Sequence, residues 1–478
     1  MIKTVSRLTL LVIAAALVLL AQPVSSQNGL TITDLGTLVG PGRPTDVNDE
    51  GYVVGSHRQE GAGVSHFLVT PEKEWVELLR RGRVNTYVNE LNQVATNLFI
   101  PETMVNPIPV LWDGDVTTPG DIGGGYGLPR DINETGQVAG ELCKAEWQYG
   151  YHAFLWTPQD AMGAMLDLGT LGGMNAFALA MNNSGWVVGD SDTDGGEIHA
   201  FLWRTSSEGM VDLLTLGGTY STAADVNDLG VIVGTSTTTA GEYHACLWTK
   251  DGEIIDLDLL LGGSYSGATD INELESPQVV GYSSTASGAE HAFLWTESDG
   301  MIDIGTLGGG AGPRVVRINN SGQVVGNTSL ATGESRGFLW TPSTGMMELG
   351  TLTGGAQTYV VDINENGQAV GWSDTATGER HVVLWALLSP AEQISHMLNS
   401  VLQLVDEGLL KQASANALVQ KLENALRQLE AQNTNAACGQ LQAFVNQVEA
   451  YTKTEKLPQE EGTKLIEAAS SVMDQVCG

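Results

Sequence analysis

The chain has 478 residues, and its 56 acidic side chains against 22 Lys and Arg give a formal net charge of −34. A surface of this charge repels phosphate groups, which argues against nucleic acid and anionic membranes as partners. The four cysteines are too few for a scaffold built from disulfides. The chain is long enough to bury a core without them.

The first 26 residues have the pattern of an export signal. Lys3 and Arg7 precede an apolar stretch over residues 8–21, and small residues at 24–26 predict cleavage before Gln27. No later segment reaches the roughly 18 to 20 apolar residues that a membrane-spanning helix needs. We therefore predict a secreted protein without a membrane span, with an uncleaved N-terminal anchor as the alternative.

Between residues 30 and 386 the sequence repeats about every 45 residues. Eight copies follow one another in steps of 41 to 49 residues. Self-similar repeats of this length, with short apolar runs and glycine turns, are typical of β-propeller blades. Each copy is marked by a turn asparagine: Asn48, Asn89, Asn133, Asn182, Asn227, Asn272, Asn319 and Asn364.

Each repeat contains four predicted strands, A to D. Strand A ends in D-I/V-N, strand B is a V-V-G run, strand C reads H-A-F-L-W and strand D reads M-x-D-L-G-T-L. The Asn-x-x-Gly sequence after strand A, as in residues 364–367, predicts a hairpin turn. Consecutive apolar residues in strands B and C predict that both faces are buried between stacked sheets.

The eighth repeat has no strand D after Trp385, whereas a D-like sequence precedes the first strand A, at residues 32–38. This N-terminal strand can complete the last sheet and leave no open edge. We therefore predict an all-β, eight-bladed β-propeller of four-stranded blades, closed by the N-terminal strand and followed by a small α-helical bundle.

Residues 30–385 resemble the HAF-repeat family of extracellular repeat proteins. H-A-F occurs at residues 152–154, 199–201 and 291–293, and D-L-G-T-L-G-G occurs at residues 167–173. The resemblance implies an exported bacterial β-protein and assigns no activity. Repeat 2 departs most from the pattern, with Tyr87 and Ile108 at the Asp and His positions, so we expect an irregular blade there.

Residues 391–478 have helical periodicity, with apolar positions such as Leu418, Leu422 and Leu429 on one face, and four helices are predicted. The segment resembles the FIMAH domain through A-A-C at residues 436–438, Q-L-Q-A-F-V at 440–445 and L-I-E-A-A at 465–469. The resemblance implies a module that is appended to secreted bacterial proteins. Because Cys438 and Cys477 lie in this small exported bundle, we predict a disulfide between them.

Histidine begins strand C in five repeats, at His152, His199, His244, His291 and His381. A catalytic group is needed once, so five copies in register indicate architecture rather than a catalytic or metal-binding role. Four of these repeats also carry an aspartate in strand A. We predict an Asp–His hydrogen bond within each of them. The predicted pairs are Asp131–His152, Asp225–His244, Asp270–His291 and Asp362–His381.

One acidic loop matches the start of a calcium-binding loop. Asp190, Asp192 and Asp194 alternate before Gly195, as carboxylates that converge on Ca²⁺ do. The twelfth position is Phe201 instead of the expected acid. The loop is therefore a calcium candidate, with an ordinary acidic turn as the alternative, and no other cofactor is predicted.

The sequence contains no nucleophile elbow, HExxH motif, phosphate-binding loop or dinucleotide fingerprint. Near-equivalent repeats with varied loops favour a secreted, non-enzymatic binding or scaffold protein that presents one propeller face to an extracellular glycan or surface protein. The main alternative is a propeller enzyme acting on extracellular polysaccharide, with two carboxylates in the central channel. A structural component of a surface layer is a third possibility.

Overall fold

The computed structural model describes residues 30–37, 42–59, 63–82, 86–100, 105–113, 115–117, 126–143, 150–158, 164–307 and 312–477. The predicted export signal, residues 1–26, lies outside them. The chain divides into two compact parts. One comprises Thr33–Trp385 and is called the β domain here, and the other includes Ala386–Gly478 and is called the helical domain.

The β domain consists of short strands, four for each repeat. The N-terminal strand β1 is Leu30–Gly36. Repeats 1 to 4 contain β2 Gly42–Val47, β3 Val53–Gln59, β4 Gly63–Val69, β5 Trp75–Gly82, β6 Tyr87–Val88, β7 Val94–Ile100, β8 Val105–Asp113, β9 Asp115–Thr117, β10 Tyr126–Ile132, β11 Val138–Cys143, β12 Tyr151–Thr157, β13 Ala164–Gly169, β14 Gly172–Met181, β15 Val187–Thr193, β16 Ile198–Trp203 and β17 Met210–Asp212. Repeats 5 to 8 contain β18 Gly217–Val226, β19 Ile232–Thr238, β20 Tyr243–Trp248, β21 Ile254–Asp256, β22 Ser266–Ile271, β23 Val279–Ser284, β24 Glu290–Thr296, β25 Gly300–Gly305, β26 Arg314–Ile318, β27 Val324–Ser329, β28 Ser335–Thr341, β29 Gly345–Glu348, β30 Thr358–Ile363, β31 Gln368–Asp374 and β32 Arg380–Leu387.

The strands of each repeat pair in chain order as antiparallel neighbours. Six sheets have four strands, and the strands of repeats 4 and 5 form one eight-stranded sheet through a parallel pair between Ile198 and Tyr220. The last sheet has the order β1-β32-β31-β30. The N-terminal strand therefore lies on the outer edge of the repeat 8 sheet, where strand D is missing from the sequence.

The turns between strands A and B follow from their Asn-x-x-Gly sequences. In repeat 8 the backbone N–H of Gly367 donates to the carbonyl oxygen of Asn364 at 3.0 Å, and Gly367 has a φ of 73°. A residue without Cβ adopts this left-handed conformation without strain. The side chain of Asn364 accepts a hydrogen bond from the N–H of Gln368 at 2.8 Å and so closes the turn.

Neighbouring repeats are joined by hydrogen bonds between these turns. Each turn asparagine is buried, and its Nδ2 donates to the backbone carbonyl oxygen of the turn asparagine in the next repeat, at 2.8 to 3.4 Å. The bond from Asn364 leads to Asn48, at 2.8 Å. The eight bonds thus run once through all repeats and return to the first, and we call them the asparagine cycle.

Apolar side chains fill the space between the sheets, which explains the continuous apolar runs. The phenylalanine of strand C, for example Phe293, is fully buried. The glycine of strand B makes room for it, since a Cβ on Gly281 would lie 2.0 Å from the carbonyl oxygen of Gly267 and 2.8 Å from the Phe293 ring. Such close packing is the main source of stability in a sheet that is buried on both faces.

Repeat 2 is irregular, as its sequence indicated. Its strand A, β6, has only two residues. Cys246 of repeat 5 is a buried free thiol, and Cys143 of repeat 3 is also free.

The helical domain contains α1 Pro390–Asp406, α2 Gln412–Glu430, α3 Thr434–Lys453 and α4 Gln459–Val476. Ser389 and Glu392 form a reciprocal capping box at the start of α1. Buried side chains from all four helices share one core, for example Val401, Leu418 and Phe444. The predicted disulfide joins Cys438 to Cys477, with a Cα–Cα distance of 5.9 Å. Among the helices that the structure describes, none is long and apolar enough to cross a membrane.

Candidate functional site

Each strand-C histidine is paired with strand D and not with strand A. Its Nδ1 lies 2.8 to 3.0 Å from an aspartate oxygen in all five repeats. Strand B separates strands A and C in every sheet, whereas strand D is the direct neighbour of strand C. The observed pairs are His152–Asp167, His199–Asp212, His244–Asp256, His291–Asp303 and His381–Asp34.

The predicted pairs are therefore wrong, because strand A lies too far from the histidines within the sheet. These pairs were Asp131–His152, Asp225–His244, Asp270–His291 and Asp362–His381. Repeat 7 supports the observed arrangement, since it replaces both partners at once: Arg336 stands at the histidine position and bonds to Glu348 in strand D at 2.6 Å. In repeat 8 the partner aspartate, Asp34, comes from the N-terminal strand.

A second carboxylate lies on the other side of the imidazole in some repeats. Nε2 of His199 is 3.5 Å from Glu197, and Nε2 of His244 is 3.9 Å from Glu242. Arg336 likewise contacts Glu334 at 3.0 Å. In these repeats the side chain at the histidine position thus lies between two acids, an environment that suits a cationic or hydrogen-bonding group. Its bond to strand D fixes the end of strand C against that strand.

The strand-A aspartates connect neighbouring repeats. Each accepts a hydrogen bond from a backbone N–H in strand A of the next repeat, at 2.6 to 3.2 Å. The bond from Asp362 to the N–H of Val47 joins repeat 8 to repeat 1. The other bonds join Asp46 to Val88, Asp131 to Met181, Asp225 to Ile271 and Asp270 to Ile318.

Four of these aspartates, Asp46, Asp131, Asp225 and Asp270, line a cavity of about 270 Å³ between the A strands. Three repeats interrupt the series, because the aspartate position is Tyr87 in repeat 2, Ala180 in repeat 4 and Arg317 in repeat 7. The cavity wall is consequently asymmetric although the repeats are similar. Its charged side chains are Asp46, Glu90, Arg130, Asp131, Asp225, Asp270 and Arg317.

Burial and like charge perturb the carboxyl groups of the cavity. Burial, the charge of Asp362 and a hydrogen bond with that side chain raise the pKa of Asp46. Burial, the charge of Asp225 and a hydrogen bond with it raise the pKa of Asp270. Two neighbouring carboxyl groups in one dry site favour a shared proton. The guanidinium of Arg317, with Nε 3.6 Å from Asp362, opposes both shifts.

A second closed series of bonds follows the asparagine cycle at the same end of the strands. The backbone N–H of the residue after each turn asparagine donates to the side chain of its counterpart in the next repeat, at 2.7 to 3.3 Å. Burial raises the pKa of Glu90 and of Glu273 to about 7. We call these residues the acidic ring: Asp49, Glu90, Glu134, Asn183, Asp228, Glu273, Asn320 and Glu365.

The acidic loop of repeat 4 is not assembled as a calcium site, which corrects that prediction. Asp190 accepts a hydrogen bond from Thr222 of repeat 5 at 3.0 Å. Asp192 instead binds the backbone N–H and the side-chain amide of Asn175, so the carboxylates do not converge with Asp194 on one point. Among the residues that the structure describes, no three His, Cys, Asp or Glu side chains are grouped to hold a metal ion.

Comparison with solved structures finds similar chains at low identity. Puromycin hydrolase is 13% identical over 71% of this chain and 59% of its own, with a TM-score of 0.44. Dipeptidyl peptidase 4 of Porphyromonas gingivalis is 9% identical over 73% and 58%, with a TM-score of 0.48. TolB of Acinetobacter baumannii is 10% identical over 70% and 79%, with a TM-score of 0.33. The chain spans about three fifths of the puromycin hydrolase chain.

No curated protein matches the sequence. Residues 394–474 match the family model of the FIMAH domain. These residues cover α1 to α4 almost completely. The C-terminal part of the chain is therefore a FIMAH domain.

Proposed function

We propose that this is a secreted, non-enzymatic binding or scaffold protein of the HAF-repeat type, and that its eight repeats are the blades of a closed β-propeller. The asparagine cycle and the edge position of β1 in the last sheet support closure. The export-signal pattern, the FIMAH domain and the disulfide support an extracellular location. The ring presents one face to an extracellular glycan or surface protein.

One observation carries the non-enzymatic proposal: the repeated reactive side chains have structural partners. All five strand-C histidines bond to strand-D aspartates, and all five strand-A aspartates bond to the backbone of the next repeat. A catalytic constellation is distinguished by one local departure from architecture. Repeats that differ mainly in their loops fit recognition better, because a rigid scaffold commonly carries its contacts on loops.

A second candidate function is hydrolysis of an extracellular polysaccharide. The observation that favours it is the Asp225–Asp270 pair in the cavity, where burial and the neighbouring carboxyl group raise the pKa of Asp270. A carboxyl group with a raised pKa can act as a general acid, and a second carboxyl group beside it can act as base or nucleophile.

The two functions are separated by measuring binding and turnover on the same samples. Purified residues 27–478 are tested against a panel of polysaccharides for retention and for release of reducing ends. Retention without product supports the binding function. Product that disappears in Asp225→Asn and Asp270→Asn, yet persists in the exposed control Asp251→Asn, establishes the enzyme and overturns the binding proposal.

A further inference from the structure

We propose that the β domain binds a neutral polysaccharide through four tyrosines of repeats 5 and 6, on the side of the sheets opposite the acidic ring. This inference rests on the proposed binding function and names its ligand class and contact surface. The residues are Tyr220, Tyr243, Tyr265 and Tyr282, called the tyrosine cluster here, and Glu290 lies beside them.

The cluster lies at the ends of the strands where strand B passes into strand C. Tyr243 begins β20 and pairs with Thr237, next to the end of β19. The carbonyl oxygen of Tyr265 accepts a hydrogen bond from the N–H of Ser284, the last residue of β23. The turn asparagines occupy the other ends of the same strands. The tyrosine cluster and the acidic ring therefore lie at opposite ends of the strands.

The four rings form one surface across the two repeats. The ring centroids of Tyr220 and Tyr243 are 5.7 Å apart, and those of Tyr265 and Tyr282 are 6.4 Å apart. Tyr282 also reaches repeat 5, because its hydroxyl and Oγ1 of Thr235 both lie against Gly267, and Thr235 pairs with Thr222 in the strand of Tyr220. Tyr243 is 49% exposed.

The packing of the repeats does not require an aromatic side chain at the position of Tyr282. At the position of Tyr282, repeat 7 has Asn327, which bonds to the backbone of Val360 in the next repeat through both its amide atoms. Repeat 6 instead has a tyrosine that lies over a glycine. A Cβ on Gly267 would lie 2.7 Å from the hydroxyl of Tyr282 and 2.8 Å from Thr235. Repeat 6 thus combines a tyrosine with the small residue that accommodates it.

The chemistry of the cluster suits a sugar ring. Aromatic faces pack against the apolar face of a pyranose, and hydroxyl and carboxylate groups bond to its hydroxyls. The hydroxyl of Tyr265 donates to Glu290 at 2.9 Å, which leaves acceptor capacity on that carboxylate for a ligand hydroxyl. The net charge of −34 opposes an acidic polymer. A neutral hexose or pentose polysaccharide is therefore the ligand class.

The test is affinity electrophoresis of residues 27–478 in gels containing laminarin, xylan or galactomannan, with alginate as the anionic comparison. The variants Tyr243→Ala and Tyr265→Ala remove the exposed ring and the ring that bonds to Glu290. Leu229→Ala is the matched control, because Leu229 is 46% exposed in the turn between strands A and B of repeat 5, on the opposite side. We expect retention by a neutral polysaccharide that falls about tenfold or more in the tyrosine variants and is unchanged in the control.

Wild-type retention that neither tyrosine variant weakens would overturn the tyrosine cluster as the site and leave the binding function intact. Preference for alginate would overturn the assignment to a neutral polysaccharide and leave the binding function intact. Binding of a protein with no retention by any polysaccharide would overturn the glycan assignment and leave the binding function intact. No binding of either glycan or protein would overturn the proposed function as well. A melting temperature close to that of the wild type shows that a variant is folded, and Tyr243 tolerates truncation because it is exposed.

Discussion

The bond from Asn364 to Asn48 joins the last repeat to the first, and its removal is the sharpest test of the asparagine cycle. Asn364 is 5% exposed. Its Nδ2 donates to the carbonyl oxygen of Asn48 and to Oε1 of Gln368, both at 2.8 Å, and its Oδ1 accepts from the N–H of Gln368 at 2.8 Å. The substitution Asn364→Ala removes all three bonds without changing the backbone.

The cost of this substitution follows from the groups that lose their partner. The carbonyl oxygen of Asn48 still accepts from the N–H of Gly51 at 3.0 Å, so it remains half satisfied. The N–H of Gln368 loses its acceptor at a buried turn. An N–H group left without a partner in a partly buried turn costs about 1 to 3 kcal/mol, and the lost bond between Asn364 and Asn48 adds about 1 kcal/mol. We therefore expect the free energy of unfolding of the β domain to fall by about 2 to 4 kcal/mol.

Urea unfolding followed by tryptophan fluorescence measures this change, with Asn366→Ala as the control. Asn366 belongs to the same turn and also reaches repeat 1, donating to the carbonyl oxygen of Asp49 at 2.7 Å, but its side chain is exposed. Water can replace that bond, so a loss below about 1 kcal/mol is expected. Equal losses in the two variants, or no measurable loss in Asn364→Ala, would refute the idea that the buried bonds of the asparagine cycle stabilise the β domain.

Three further predictions address other parts of the molecule. Replacing Cys438 and Cys477 by serine should lower the stability of the helical domain by about 4 kcal/mol, because the bridge closes a loop with a sequence separation of 39 residues; helical circular dichroism measures it, and an unchanged transition contradicts it. Deleting residues 27–40 should cause aggregation, seen by light scattering, because it uncovers the edge of β32 and removes Asp34; a monodisperse, equally stable product would argue for an open array. Burial raises the pKa of Asp131 to about 7 in the folded protein, so its contribution to stability is full below its unfolded value near 4 and is lost as the pH rises through 7. The melting temperature should therefore drop between pH 5 and pH 8 less steeply in Asp131→Asn than in the wild type, and equal slopes would contradict this.

Local chemistry explains which parts of the fold could be predicted from the sequence. The hydrogen bonds of each Asn-x-x-Gly turn lie within one short segment, as at Asn364 and Gly367. The sequence of that segment therefore predicts the turn without knowledge of distant strands. The outer position of β1 was predictable because the N-terminal sequence repeats strand D. The disulfide was predictable because only Cys438 and Cys477 fall in one small helical segment. In each case one feature within a repeat or domain decides the structure.

The histidine partners could not be assigned in this way, because two aspartates accompany the histidine in most repeats and only the order of the strands decides between them. Repeat 4 contains the discriminating signal, since it keeps His199 although Ala180 replaces the strand-A aspartate, and its strand-D partner Asp212 is present. Repeat 7 contains a second signal, the joint change to Arg336 and Glu348. Two residues that are replaced together within one repeat therefore identify a contact better than two residues that merely occur together in most repeats.

The interruptions of the aspartate series have an electrostatic reason that only the structure reveals. Aspartates around one narrow cavity repel one another, and a buried carboxylate costs more when its neighbour is also charged. Tyr87 and Ala180 flank Asp131 on either side, and Arg317 separates Asp270 from Asp362. Strand A carries aspartate in at most two successive repeats. In each of these two pairs, burial and the charge of the neighbouring aspartate raise the pKa of one member. The three departures from the repeat thus reduce a repulsion that an aspartate in every repeat would concentrate around the cavity, and they also make the cavity wall asymmetric.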